Sequence, residues 1–379
     1  MVAILKTTQI QEPSSATVNL TLDTLGNASF AGMPYGASSF LRNRIINGDM
    51  RIDQRNAGAA VTANNSYPVD RFFTGYSTSG AVSSQQSTSV VPSGFTYSTG
   101  VTVTTADSSV GAADYVFVEQ RIEGYNVADF GFGAAGASTI TISFKVRSSV
   151  TGTYCIALLN SAGDRSYVAE YTILSANTWE TKTITVAGDT SGTWLTTNGI
   201  GLRIRFALMA GSSFQQSAAS WGTANAVGSS NQVNWMATLN NTFYITGVQL
   251  EVGSVATPFE RRLYGQELAL CQRYYQKWGG DTGYERIGLG QAYSTTQANI
   301  NVSMLTPMRT TPSFSTVGNL ALTGTANATL AATAVANDSS SSQLINLVVS
   351  VASGLTDGRA TQFCTNNSTA ARFQASAEL

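Results

Sequence analysis

Thr139-Ile140-Thr141-Ile142-Ser143-Phe144-Lys145-Val146-Arg147 alternates polar and apolar residues without a break. Successive side chains of a β-strand point to opposite faces, so Ile140, Ile142, Phe144 and Val146 line one face and the polar residues the other. Leu202, Ile204, Phe206 and Leu208 repeat the pattern, with Arg203 and Arg205 on the outer face. Trp179, read as a core residue, introduces a strand carrying Ile184 and Val186, and Phe243 with Ile245 leads to Val248, Leu250 and Val252. Short strands at fairly regular spacing, with Gly, Ser and Asn between them, predict an all-β chain whose middle region is an antiparallel jelly roll or β-sandwich.

Composition agrees with that reading. Only 11% of the 379 residues are charged, and 35 are glycine; a usual charged share is about 25%. Ser, Thr, Asn, Gln and Gly take the place of charge, which suits strands joined by tight turns. Hydrophobic residues make up 43%, enough for a buried core, and the length calls for more than one compact unit.

Working outward, residues 1–40 form a thin leading arm. Val18, Leu20 and Leu22 alternate with Asn19, Thr21 and Asp23, and Gly26-Asn27 can turn the chain toward Phe30, but so short an apolar segment holds no core alone. It is expected to dock on a neighbouring subunit or a larger particle. Residues 41–263 form the sandwich. Residues 264–280 read as a junction helix, because Gln266 to Leu270 are good helix formers, Leu268, Cys271 and Tyr275 share one face, and Gly279-Gly280 supplies the stop. Residues 281–379 form a second, small β domain, in which Ile300, Val302 and Met304 alternate and Leu344 to Val351 suits a buried strand. Leu320 to Ser342, nearly all Ala, Thr, Asn and Ser, reads as a loose loop or an edge strand.

Several function classes are excluded or disfavoured. A net charge of −1 without a basic block gives no field for nucleic acid. No apolar run approaches the roughly 18 residues of a membrane span. Histidine is absent, which removes triads of the Ser-His and Cys-His kind. Cys155, Cys271 and Cys364 lack metal-ligand spacing and read as buried thiols. Gly131-Phe132-Gly133-Ala134-Ala135-Gly136 satisfies G-x-G-x-x-G, yet a strand pattern follows it instead of a helix, so it reads as a glycine-rich loop and no cofactor is expected. Paired carboxylates remain the one catalytic device the composition permits. Asp164, Asp189 and Asp281 sit beside turn residues and read as turn caps, so no catalytic residue is assigned. Arg261, Arg262 and Arg273 read as a salt-bridging or solvated face at the domain junction.

Two stretches carry a resemblance. Asn43-Arg44-Ile45-Ile46-Asn47-Gly48-Asp49-Met50-Arg51-Ile52-Asp53-Gln54-Arg55 with Tyr67-Pro68-Val69-Asp70-Arg71-Phe72 resembles the opening of a domain common in phage tail-fibre and appendage proteins. Gly247 to Gly253, then Thr257-Pro258-Phe259-Glu260-Arg261-Arg262 running into Glu267 to Tyr275, resembles its close. Leu5 to Ile10 and Leu20 to Asp23 are similar to the N-terminal segment of marine phage virion proteins. The resemblance implies a virion component, assembled in the host cytoplasm, with a sandwich like those of carbohydrate-binding modules and commonly a homotrimer. Residues 1–40 would then meet other virion proteins.

The expected function is therefore a non-enzymatic tail-fibre or appendage subunit that helps attach to host surface glycans. Its alternatives are a capsid decoration or head-fibre protein and, from another class, a glycan-degrading tailspike hydrolase. Sugars stack their C–H faces on flat rings, which makes Trp194, Trp221 and Trp235, all in polar stretches between strands, the candidate glycan or partner contacts.

Overall fold

The computed structural model describes residues 41–379 except 325–327, and within residues 1–40 the backbone of three short strands. Those strands, Gln9–Ile10, Leu20–Leu22 and Ala28–Phe30, pair antiparallel in sequence order. The attachment role expected of residues 1–40 lies outside the described residues.

The middle of the chain is a sandwich of two antiparallel sheets. One has seven strands in the order Trp221–Gly222, Ser166–Ile173, Gly152–Leu159, Ile200–Ala210, Tyr115–Glu123, Phe72–Ser77 and Ser66–Val69. The other has five: Glu180–Val186, Ile140–Ser148, Thr242–Val252, Ser98–Thr105 and Ala81–Ser87. Ile140, Ile142, Phe144 and Val146 from the second sheet meet Leu202, Ile204, Phe206 and Leu208 from the first in a single core. The alternation in Thr242–Val252 changes phase once, at Gly247, where the pairing register slips and φ is +62°. This bulge lets Phe243 and Ile245 on one side of it and Val248 and Leu250 on the other share the core. Val252 lies past the core and is exposed, and Trp179 is half-buried outside every core cluster, both against expectation. Trp179 precedes its strand, so no sheet neighbour covers the ring.

The helix spans Tyr264–Gln272 only, shorter than the expected 264–280. Its Cys271 packs with Ile46, Ile52 and Tyr274. From Tyr275 to Gly279 the chain is instead a strand, paired residue for residue with Arg372–Ser376. Tyr and Trp favour a pleated surface, and that pairing satisfies the backbone groups a longer helix would have bonded.

Arg372–Ser376 lies between Tyr275–Gly279 and Ser313–Val317 in a three-stranded sheet. Beside it, Arg286–Ala292, Gln297–Ser303, Leu344–Val351, Thr329–Asn337, Leu320–Thr323 and Ala360–Thr365 close into a barrel. The stretch read as a loose loop or edge thus supplies two barrel strands. Closure removes the edge, and the small outward residues of Thr329–Asn337 leave that strand mostly exposed. Leu344–Val351 buries one face only, with Ile345, Leu347, Val349 and Val351 inside.

The residues that carried the family resemblance are stitched together at the start and end of the sandwich. Asn47, with φ +61°, bonds through its side chain to Ile52 and to the carbonyl of Asp70, while its N–H donates to Glu267. Gly48 runs so close to Val248 that a Cβ would fall 2.2 Å from its carbonyl oxygen. Arg262 pairs with Glu267 and donates to the carbonyls of Asn43 and Ile45. Arg273 pairs with Glu123 at 2.6 Å, so this arginine group is salt-bridging, as read from the sequence.

The same segments form a socket for the C-terminal unit. Glu378 is held by Arg55 and Arg71; these guanidiniums lie 3.7 and 3.5 Å from the rings of Tyr275 and Tyr274. Arg309 donates to the carbonyls of Ala377 and Glu378, and Arg121 to that of Leu379. Burial pushes the Tyr274 phenol up to about 12, so it stays protonated and donates to Glu123 at 2.7 Å.

Candidate functional site

At one end of the sandwich two loops and an edge strand converge. The glycine-rich loop contributes Phe132, the loop after Glu180–Val186 contributes Trp194, and the edge strand contributes Trp221. The rings are 5.0 Å (Phe132 to Trp194), 5.7 Å (Phe132 to Trp221) and 5.5 Å (Trp194 to Trp221) apart, each pair edge to face. Tyr167 approaches Trp221 at 5.3 Å and Phe130 backs Phe132 at 5.6 Å. Edge-to-face packing suits the ring quadrupoles.

Local chemistry fixes these rings. Trp194 donates its indole N–H to the Ser191 carbonyl at 3.1 Å and Trp221 to that of Ala187 at 2.8 Å. With their donors used internally, the half-buried indoles offer outward only carbon surface. The glycines of the G-x-G-x-x-G stretch all have positive φ: 63° at Gly131, 88° at Gly133 and 86° at Gly136. A Cβ on Gly133 would come 2.6 Å from the carbonyl oxygen of Gly192, and one on Gly192 would meet the Arg165 stem at 2.4 Å. Glycine is needed at both positions so the two loops can interlock beneath Trp194.

Beside the rings, Arg165 grips Asp189 through two 2.7 Å bonds, with Asp189 almost fully buried. That hydrogen-bonded pairing raises the Arg165 pKa and occupies both carboxylate oxygens of Asp189. Asp164, exposed, accepts from Asn160 at 2.6 Å, and Asp281 belongs to the C-terminal unit. The depression among the aromatics, floored by Val127, Phe130 and Leu202, holds only about 30 Å³. The end of the sandwich is therefore a platform with hydroxyl- and amide-bearing neighbours.

Of the three tryptophans singled out in the sequence, Trp194 and Trp221 come together here. Trp235 does not: its ring is 0% exposed in the sandwich core. It sits on a short 3-10 turn capped by Asn234, which accepts from the N–H of Met236 at 3.0 Å and turns both side chains inward. The polar stretch around it does not project. Phe214, Ala224, Ala226 and Val227 press it onto the outer face of the seven-stranded sheet, over Phe117, Cys155, Ala157 and Ala207. All three cysteines are buried thiols. Sequence reading missed Phe132 and Tyr167; the signal for Phe132 was an aromatic ring set between two loop glycines.

No protein-family description matches the chain, and no curated protein matches it in sequence. Solved structures do show similarity to part of it. The enzymatically active domain of tailspike protein 4 of bacteriophage CBA120 is 10% identical over 56% of this chain, with a TM-score of 0.30, and the chain spans 22% of that domain's length. A carbohydrate-binding module bound to β-1,4-galactotriose is 10% identical over 56% of this chain and 99% of its own, with a TM-score of 0.29. A family 11 carbohydrate-binding module of a cellulase from Clostridium thermocellum is 14% identical over 53% and 99%, with a TM-score of 0.27. Identities and scores this low do not carry any neighbour's ligand over to this chain.

Proposed function

We propose that this chain is a non-catalytic, glycan-binding structural subunit of a phage particle, of the tail-fibre or appendage kind. The observation that carries the reading is the pair of half-buried tryptophans, 27 positions apart in sequence and 5.5 Å apart in space, held rigid with their N–H groups spent on backbone carbonyls. Rigid rings lose little entropy on binding, and the negative ring face attracts the positively polarised C–H groups of a pyranose. The bidentate ion pair that occupies Asp189 speaks for binding over hydrolysis, because glycoside cleavage needs two carboxyl groups free to exchange protons or attack.

The virion assignment draws on residues 43–55, 67–72 and 247–275, whose resemblance to phage appendage proteins is matched by their mutual stitching around one sandwich. In this reading residues 1–40 attach to other virion proteins and three copies assemble, so that weak single sites act together through effective concentration. Incubating purified protein with host surface polysaccharide tests it. Retention of the polysaccharide without release of oligosaccharide supports the reading, and released oligosaccharide overturns its non-catalytic part. Solution mass at micromolar concentration tests the trimer, against which a clean monomer or dimer would count.

A further inference from the structure

The edge strand Trp221–Gly222 has two faces. Trp221 pairs with Tyr167 and turns into the aromatic platform, whereas Gly222 pairs with Ser166 and faces Gln216, so close that a Cβ would lie 2.6 Å from its Oε1. On the Gln216 side lies an open cleft of about 560 Å³, within the ~300–1,000 Å³ of ordinary small-molecule sites. Glu170 from the sheet, Ser212, Gln215 and Ser217 from one wall, and Ser230 and Asn231 from the other line it.

The cleft is built, not a gap between loose loops. Its walls are joined by a bridge between Gln215 and Gly228 and by the bond from the Gln216 N–H to the Gly228 carbonyl at 3.1 Å. Gln216 accepts from the Ser166 hydroxyl at 2.8 Å and donates to the carbonyls of Ser166 and Ser220. Gln215 is tied to the Ala210 carbonyl, and Asn231 donates to Glu170 at 3.1 Å. These bonds leave over the second oxygen of Glu170 and the amide oxygens of Gln215 and Asn231; with the hydroxyls of Ser212, Ser217 and Ser230, none has a partner among the described residues. Exposed acceptors interspersed with hydroxyls match the vicinal hydroxyls of a sugar. One carboxylate and no cation line the cleft, which disfavours an anionic ligand.

We propose that this cleft is a second sugar subsite, taking an uncharged sugar unit by hydrogen bonds next to the stacking platform, so that the ligand is a neutral oligosaccharide crossing the Trp221–Gly222 edge. The proposal rests on the glycan reading above. The probes are neutral gluco-, galacto- and manno-oligosaccharides of one to six units, with uronate-containing oligosaccharides as the charged comparison, titrated calorimetrically into the full chain. Wild type binds hexasaccharides more tightly than disaccharides and prefers neutral to uronate chains. Glu170→Ala with Asn231→Ala removes a paired carboxylate and amide. It weakens hexasaccharide binding roughly tenfold, as expected for losing a charge-assisted hydrogen bond, and leaves disaccharide binding on the rings unchanged. Ser217→Trp, on the exposed lip, fills the cleft and gives the same loss if the double variant folds poorly. The cleft is refuted if wild type binds two and six units equally, if it prefers uronates, or if the variants bind hexasaccharide as wild type does. If wild type binds none of the probes, the glycan reading itself fails.

Discussion

Glu378→Gln tests the socket that joins the two units. The Glu378 carboxylate lies between Arg55, at 2.8 Å, and Arg71, with side chains 10%, 14% and 2% exposed respectively. The amide keeps the shape and removes the charge. Arg55 retains Asp70 at 2.9 Å, but Arg71 keeps only the Arg121 carbonyl and the Tyr274 ring, so a nearly buried guanidinium loses its counter-ion. Removing one partner of a buried pair costs about 3–5 kcal/mol, and the contacts Arg71 retains place this case near the lower end, about 3 kcal/mol. For domains of some 150–250 residues each kcal/mol moves Tm by about 2–4 °C, so a fall of roughly 6–12 °C is expected by scanning calorimetry. Hydrogen exchange should rise together in Tyr275–Gly279 and at Arg309, whose N–H donates to Arg273. A Tm change under about 1 °C, well below the cost of an unpaired buried charge, with unaltered exchange, would show that Glu378 does not hold the units together.

Three further outcomes follow from the geometry. Trp235→Ala should cost about 3–5 kcal/mol, as for a large ring removed from a core, while Trp221→Ala, from a half-buried position, costs clearly less; equal losses in a denaturant titration would contradict the placement of either ring. Gly192→Ala, at φ +82° and against the Arg165 stem, should loosen the loop under Trp194 and red-shift tryptophan emission; an unchanged spectrum and Tm would refute the interlock. Hydrogen bonds from Thr78, Ser79 and Ser109 hold the Asp107 carboxyl below its ordinary 3.8, so its stabilisation is complete above that value and is lost as pH falls through the lower folded pKa. Asp107→Asn should therefore lower stability at pH 7 and flatten the acid limb of the stability curve, and an identical acid limb would count against the capping role.

Strands were legible wherever one face is buried, because alternation is a local signal: Ile140 to Val146 and Leu202 to Leu208 fall in the core as read. Long-range pairing was not legible. Nothing within Tyr275 to Gly279 announces that Arg372–Ser376 will pair with it, so the helical pattern overruns the helix, and the alanine-rich Thr329–Asn337 carries no sign of a closed barrel. The residues that carried the resemblance fared differently again. Asn47, Arg71, Arg262 and Glu267 stood out in the sequence, and their partners show them to be structural, joining residues some 200 or more positions apart. The platform was half legible. Tryptophans in polar stretches flagged Trp194 and Trp221, but the same rule flagged Trp235, because burial of a ring in an irregular segment depends on how that segment packs.

The central claim is that the Trp194 and Trp221 platform binds host surface glycan. Titration of host surface polysaccharide into wild type and into the Trp194→Ala, Trp221→Ala double variant, each first shown to be folded by circular dichroism, tests it most directly. Saturable binding by wild type, weakened roughly five- to 150-fold in the variant, as the loss of two stacking contacts of about 0.5–1.5 kcal/mol each implies, is the expected result. Equal binding by both proteins, or none by wild type, would contradict it.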